Sequence, residues 1–335
     1  MNCSASRWIR EEFSKIDLGD VRRNQRLADV ANKMIKCPEY SICRSMPDWA
    51  SAKGAYRLLN SDQFSCEKIL EPHISRTIKR CSEFKTALII QDTSTLSYDR
   101  RNKTEGLGSI GVKHVTGNQT RGLMMRTCFA LSPLGEPLGI LNQEIWARKN
   151  QRKNVTVAQK YQTQKTPIKG KESYKWIYSL YQTSFLPFKN ELTFIHIADR
   201  EADIYEFLRE LRDLECQYII RAAHDRNINK DKRRGFKKEK LWDHMYKQPI
   251  VEKVTIEVLG KSNQLRKATL KIATGSVELP APPSRTVPIH GVLLNPVKVN
   301  VIWVREEHPP KGEKAVEWML MTNLNLSVSF QSLWA

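Results

Sequence analysis

The apolar residues of this chain change their period at about residue 86, and that change divides what its two parts can fold into. Before it, Trp8, Ile9, Phe13 and Ile16 keep helical spacing, and Gly19 breaks the run. Asp20 can cap a second helix whose apolar stripe is Leu27, Val30, Ala31, Met34 and Ile35. Arg22, Arg23 and Arg26 then fall together on its first turns. Further helices are expected from Pro47, acceptable in a first turn, to Leu59, and from Cys66 to Lys79. Residues 1–85 therefore read as a helical domain with a basic face.

After residue 86, short β-type runs alternate with helical segments. Ala87–Gln91 is a strand that ends on Asp92, and Leu123–Leu131 and Leu138–Trp146 form a hairpin across Ser132, Pro133, Leu134 and Gly135. A polar, basic connection, Ala147–Gly170, leads to a helix over Glu172–Thr183 and a strand over Leu192–Ala198, which delivers Asp199. A helix over Ala202–Leu211 and a strand over Tyr218–Arg221 follow. This order predicts an α/β architecture over residues 86–221, with helices packed on a mixed sheet. Alternation in Val251–Leu259, Lys267–Ile272 and Val297–Val304 predicts a β-rich subdomain over 222–324. Gly106–Gly111 superficially matches a Gly-x-Gly-x-x-Gly loop, but no βαβ unit surrounds it, and it reads as a flexible loop.

Lys and Arg total 55 against 36 Asp and Glu, a formal charge of +19. A surplus of that size is costly in self-repulsion unless a polyanion neutralises it, which makes nucleic acid the leading partner. The excess concentrates at 221–240, where Arg221, Arg226, Lys230, Lys232, Arg233, Arg234, Lys237, Lys238 and Lys240 face three acidic residues. A solvated basic loop is the plain alternative. Apolar stretches fall far short of the roughly 20 residues of a membrane helix, so no membrane partner is expected. Charges in Met1–Arg10 do not suit a signal peptide, and seven cysteines without a Cys-x-x-Cys pair suit a reducing cytoplasm. The seven histidines are scattered and give a zinc site little support.

Asp92, in Ile-Ile-Gln-Asp-Thr-Ser, and Asp199, in Ile-His-Ile-Ala-Asp-Arg, both sit just past apolar runs. Ligands of open α/β sheets gather beyond strand ends, and two carboxylates there make a hard oxygen site suited to Mg²⁺ or Mn²⁺. Such ions promote in-line displacement at phosphorus. The alternatives are local: Asp92 as a turn acceptor for Thr93 or Thr95, and Asp199 as an N-cap for the helix that follows.

Six stretches in order, Leu18–Arg23, Gly54–Arg57, Asp92–Tyr98, Leu107–Ile110, Ala198–Asp203 and Pro309–Glu313, resemble the cut-and-paste transposases of the insertion-sequence-four group, to which transposon five belongs. The resemblance runs over about residues 7 to 324. It implies a ribonuclease H-like core at 86–221, whose Asp-Asp-Glu triad holds two divalent ions, with Asp92 and Asp199 as its first two members. It implies helices at 1–85 that bind double-stranded transposon ends, with Arg22, Arg23 and Arg26 as phosphate contacts, and a second substrate in target DNA. Arg221 aligns with a DNA-contacting arginine, and Trp318 with a tryptophan that stacks beside a flipped base; locally, Trp318 also reads as a strand core residue. The group acts as a dimer on DNA, and the resemblance implies a bacterial, nucleoid-associated protein. The group's third carboxylate lies on a later helix with a Tyr, Arg, Glu, Lys pattern that this chain lacks, and 325–335 no longer reads like the group. The expectation is a truncated, catalytically incomplete transposase without the dimerisation region, or an end-binding protein or inhibitor derived from one.

Overall fold

The computed structural model describes residues 2–98, 103–112, 119–148, 166–187, 192–228, 239–261, 263–282 and 295–326. Residues 149–165 of the connection expected after Ala147, residues 229–238 of the basic run and residues 327–335 of the divergent tail lie outside the described residues.

Helices α1 (Asn2–Glu12), α2 (Val21–Lys36), α3 (Ile42–Ser45), α4 (Trp49–Leu59) and α5 (Cys66–Cys81) precede the sheet. Asp20 caps α2 by accepting from the Arg22 amide at 2.7 Å. Pro47 does not open α4; Asp48 caps it, accepting from Ser51 N at 2.7 Å, because a carboxylate satisfies the free amides that proline cannot. Val30, Ala52 and Ala55 pack α2 against α4, while Leu18, Leu27 and Leu58 form a second small core.

One sheet follows, in the order β2-β3-β1-β5-β6-β12-β11-β10-β9, with β4 paired to β3. Its strands are β1 (Thr86–Ser97), β2 (Gly108–Val112), β3 (Gln119–Leu131), β4 (Pro137–Trp146), β5 (Thr193–Ala198) and β6 (Gln217–Arg221), then β9 (Ile250–Leu259), β10 (Leu265–Leu279), β11 (Val297–Glu306) and β12 (Glu317–Thr322). A separate two-stranded ribbon joins β7 (Asn227–Ile228) and β8 (Glu239–Lys240). β1 runs antiparallel to β3 and parallel to β5, which is parallel to β6. Helices α6 (Tyr174–Ser184) and α7 (Tyr205–Asp213) bring Trp176, Leu180, Phe207 and Leu208 into a core with Ile220, Val299, Val301 and Met321. Short helix α8 (Leu241–Met245) closes one end of that core through Leu241 and Met245.

Three expectations are corrected. The β-rich segment after residue 222 does not build a sheet of its own: β12 pairs with β6 in register Leu320↔Arg221 to Thr322↔Ile219, so its long strands extend the core sheet. β10 runs on past Ile272, because a register shift at Ile272/Ala273 inverts the alternation, and in sequence this looks like a strand end. The glycine stretch at 106–111 is largely strand β2 rather than loop; a Cβ at Gly108 would come within 2.1 Å of the Arg148 carbonyl oxygen, so glycine permits a close backbone approach.

The helical region is tied to the sheet by a buried ionic cluster. Glu12, 1% exposed, accepts from His73 Nδ1 at 2.5 Å and from both terminal nitrogens of Arg80 at 3.0 and 3.1 Å. Arg80 Nε also donates to the Leu138 carbonyl at 2.5 Å, and His73 Nε2 accepts from Ile140 N at 2.9 Å. Burial holds His73 below the ordinary imidazole value, which suits a ring that must keep Nε2 free to accept.

Candidate functional site: a carboxylate pair, a tryptophan cleft and a basic cleft

The last paired residues of the parallel strands β1 and β5 are Gln91 and Ala198, so Asp92 and Asp199 come next, side by side. Asp92 is not at the end of its strand, as the sequence suggests; β1 continues to Ser97 on β3 after its partner β5 has stopped. Both carboxylates are exposed. Each also plays the local role open to it, through one oxygen: Asp92 Oδ1 accepts from Thr93 N at 2.7 Å, and Asp199 Oδ1 accepts from Glu201 N at 2.9 Å, capping the 3₁₀ turn Arg200–Ala202. Two adjacent carboxylates are the hard oxygen donors a divalent cation prefers, which fits Mg²⁺ or Mn²⁺ in chemistry. Among the described residues no group of three His, Cys, Asp or Glu assembles around them.

Behind the pair lies a buried polar chain that sequence reading missed. Arg126 of β3, 1% exposed, donates to Gln91 Oε1 at 2.7 Å, to Thr93 Oγ1 at 3.3 Å and to Ser179 Oγ of α6 at 2.6 Å, and lies 3.8 Å from the Trp176 ring centroid. Burial pushes its guanidinium down to about 10. Because arginine only donates, Gln91 must present its oxygen to it, and its amide then donates to His196 Nδ1 at 2.9 Å. His196 is therefore neutral at that nitrogen, and burial pushes its pKa down to about 4.

The sign of the resulting pH dependence follows. Between about 6.5 and about 4 the unfolded chain binds a proton at His196 that the folded chain does not, so stability falls as the pH drops through that window, by roughly 3 kcal/mol in total. Urea titrations from pH 7 to 4 check this. His196→Asn, which still accepts from Gln91 but does not titrate, should flatten that limb; an unchanged limb would assign it elsewhere.

Past Asp199, a cleft of about 440 Å³ is lined by Arg200, Arg221, Trp242, Lys314, Glu317 and Trp318 among others. Arg221 Nη2 donates to the Glu317 carbonyl at 3.3 Å. Burial holds its guanidinium below the ordinary value, Arg200 acts the same way and Asp199 opposes them. Trp318 lies in β12 opposite Val304, half-buried against Ala268 and Leu270, so its strand-core role and its place in the cleft coexist. Trp242, Arg200 and Lys314 went unnoticed in sequence. Trp242 is set by Asp225, whose Oδ1 accepts from its amide at 3.1 Å, on a loop gripped by buried Asp203. Asp203 accepts from Ala223 N at 2.8 Å, His224 N at 3.0 Å and Arg226 Nη2 at 2.6 Å.

In the helical region a larger cleft, about 630 Å³, lies between α2 and α4. Arg22, Arg23 and Arg26 line it, together with Lys53 and Arg57, against the single acidic lining residue Asp48. Arg23 Nη1 donates to the Leu18 carbonyl at 3.1 Å, while Arg22 and Arg26 are exposed. Gly54 lets Arg26 cross α4: a Cβ there would fall 2.1 Å from its Nη1. On the open face of α4, Trp49 is 71% and Tyr56 41% exposed, at helical spacing with Lys53 and Asn60. Residues 5–64 match the family model for transposase DNA-binding. Helices α1 to α4 are thus similar to a transposase DNA-binding domain. Arg22, Arg23 and Arg26 meet in one cleft within the matched residues, and Lys53 and Arg57, four residues apart on α4, complete it. Asp92, Arg221 and Trp318, on strands, and Asp199, just past the end of β5, lie outside the matched residues. Among the described residues no helix is long and apolar enough to cross a membrane.

Proposed function

We propose that this chain is a cut-and-paste DNA transposase of the insertion-sequence-four group, whose DNA-binding domain holds transposon ends in the α2–α4 cleft. The order β4-β3-β1-β5-β6, with β1 antiparallel to β3 and parallel to β5, supports reading residues 86–221 as a ribonuclease H-like core. The observation that carries the reading is the adjacency of Asp92 and Asp199 beside a cleft of cations and tryptophans. Asp92 and Asp199 would hold the divalent ion, which when bound polarises a phosphodiester and activates the attacking oxygen. Arg200, Arg221 and Lys314 would hold backbone phosphates next to it. Trp318 and Trp242 would receive a base taken out of the stack, since indole faces accept any base. Two carboxylates alone would give a divalent ion few protein ligands, so DNA-end binding is the part of this function that the described residues support most directly.

Replacing Arg22, Arg23 and Arg26 together by alanine is expected to weaken binding to duplex DNA by roughly ten- to a hundredfold at moderate salt. It should also reduce the slope of log affinity against log salt by about two to three, one unit per lost phosphate contact. Fluorescence anisotropy over a salt series measures both. An unchanged slope would remove the α2–α4 cleft from the interface.

A further inference from the structure

The two edges of the long sheet are finished differently. At one, β2 and β4 flank β3 with register shifts in both pairings, and β4 opens on Pro137, features that bend and interrupt an edge. At the other, β9 pairs with β10 in unbroken register from Leu259↔Leu265 to Glu252↔Ile272, and among the described residues no strand pairs with its outer side. The 10 residues of β9, Ile-Val-Glu-Lys-Val-Thr-Ile-Glu-Val-Leu, contain neither proline nor glycine. They leave about 34 Å of edge open.

The side chains of that edge are complementary to themselves. Val251, Lys253, Thr255, Glu257 and Leu259 are exposed on one face, Val251 by 51% and Leu259 by 64%, while Val254, Ile256 and Val258 are half-buried against Ala268, Leu270 and Ile272 on the other. When a second β9 runs antiparallel with Thr255 opposite Thr255, Lys253 stands opposite Glu257 of the second copy, twice by symmetry, and Val251 opposite Leu259. On the other face Val254 meets Ile256. A slip of one residue sets the exposed face against the apolar one, a slip of two sets Lys253 against Thr255 or Leu259, and a slip of four sets Lys253 against Lys253 or Glu257 against Glu257. Within the chain Lys253 faces Lys271 of β10, which is already paired with Glu307. An edge lysine ordinarily keeps other chains away; the glutamate four positions on answers it, so these charges select one partner and one register. With two glutamates against one lysine, the strand is also free of the positive excess that makes the chain as a whole repel itself.

We propose that the outer edge of β9 is the docking surface for a second copy of this chain, added in antiparallel register about Thr255, so that the sheets of two copies run into one another. The half-covered apolar rows of Val254 and Ile256 then meet across the junction. A single strand pair is smaller than a standard interface, so the dimer is a reversible one with a Kd on the order of micromolar. The proposal rests on β9 alone and is independent of the reading of Asp92, Asp199 and the α2–α4 cleft.

Sedimentation velocity of the full chain without DNA, over roughly 1 to 100 µM, tests it and should show monomer passing to dimer. Lys253→Glu and Glu257→Lys each set like charges opposite one another twice, and each should raise the Kd roughly tenfold. Both residues are exposed, so the variants fold, and an equimolar mixture of the two restores opposite charges at both places and should dimerise as the wild type does. Cross-linking reads the register. Thr255→Cys, opposite itself, should give a disulfide-linked dimer in oxidised glutathione, because facing Cα atoms of a strand pair lie about 4.5–5.5 Å apart. Lys253→Cys lies about 14 Å along the strands from its own symmetry mate and should cross-link no more than the exposed Cys43 and Cys66 of the wild type do. A chain that stays monomeric throughout the range, a dimer that both charge variants leave intact, a mixture no better than its components, or equal cross-linking at the two positions, none included, would each overturn the proposal.

Discussion

Replacing Glu12 by alanine is expected to destabilise the chain by about 3–5 kcal/mol, the range for removing one partner of a buried ion pair. Nothing in the side chain's own volume explains a loss of that size. Glu12 is the one carboxylate bonded to both the His73 imidazole and the Arg80 fork of α5, and without it Arg80 stays in place as a mostly buried cation, held by neutral acceptors alone, the Leu138 carbonyl at its Nε and the Thr77 hydroxyl at its Nη2. Glu12→Gln should lose most of the same stability, because its amide NH₂ must face one of those donors. Urea unfolding followed by tryptophan fluorescence measures the loss, and limited proteolysis should show cuts appearing between α4 and β1 as the DNA-binding domain loosens from the sheet. A loss below about 1 kcal/mol would mean that the cluster is solvated and does not join the two parts.

What could be read from the sequence depended on how far apart the cooperating residues lie. The Asp20 cap, the arginines on the first turns of α2 and the hairpin turn at Ser132–Gly135 are settled by residues a few positions apart, and their physics is the same in the chain as in the fold. Lys53 and Arg57 escaped notice because they reach Arg22 and Arg26 only when α4 packs on α2, although their four-residue spacing next to Gly54 was a signal. The chain Arg126–Gln91–His196 joins three strands and depends on their register, which no local pattern encodes. β12 lacks alternation because Met319 and Met321 are buried on one face while Trp318 and Leu320 are half-covered on the other, so its continuous apolar run carried no period. The carboxylates were legible as residues at the ends of apolar runs; their adjacency, implied by the resemblance, has no local signal, since it requires β1 and β5 to be parallel neighbours.

The hexapeptide Ala198–Asp203 carries two aspartates, and stability should separate them. Asp203→Ala is expected to destabilise the chain by about 3–5 kcal/mol, whereas Asp199→Ala should change stability by no more than about 1 kcal/mol. Asp203 is 3% exposed and accepts from two backbone amides and from Arg226, so its loss strands three donors in the interior. Asp199 is exposed and caps a three-residue turn with one oxygen, a contact that water replaces at little cost. Urea unfolding of the two variants measures the difference, and hydrogen exchange adds a local readout: the Ala223 and His224 amides should lose protection in Asp203→Ala and keep it in Asp199→Ala. The consequence reaches the cleft, because the loop that Asp203 grips runs through Asp225 and Arg226 to the amides of Trp242 and Leu241. Under the proposed function, Asp203 acts only through the placing of Trp242, and Asp199 through the divalent ion it would hold. Equal losses in the two variants would instead make Asp199 a structural residue and leave Asp92 without a partner.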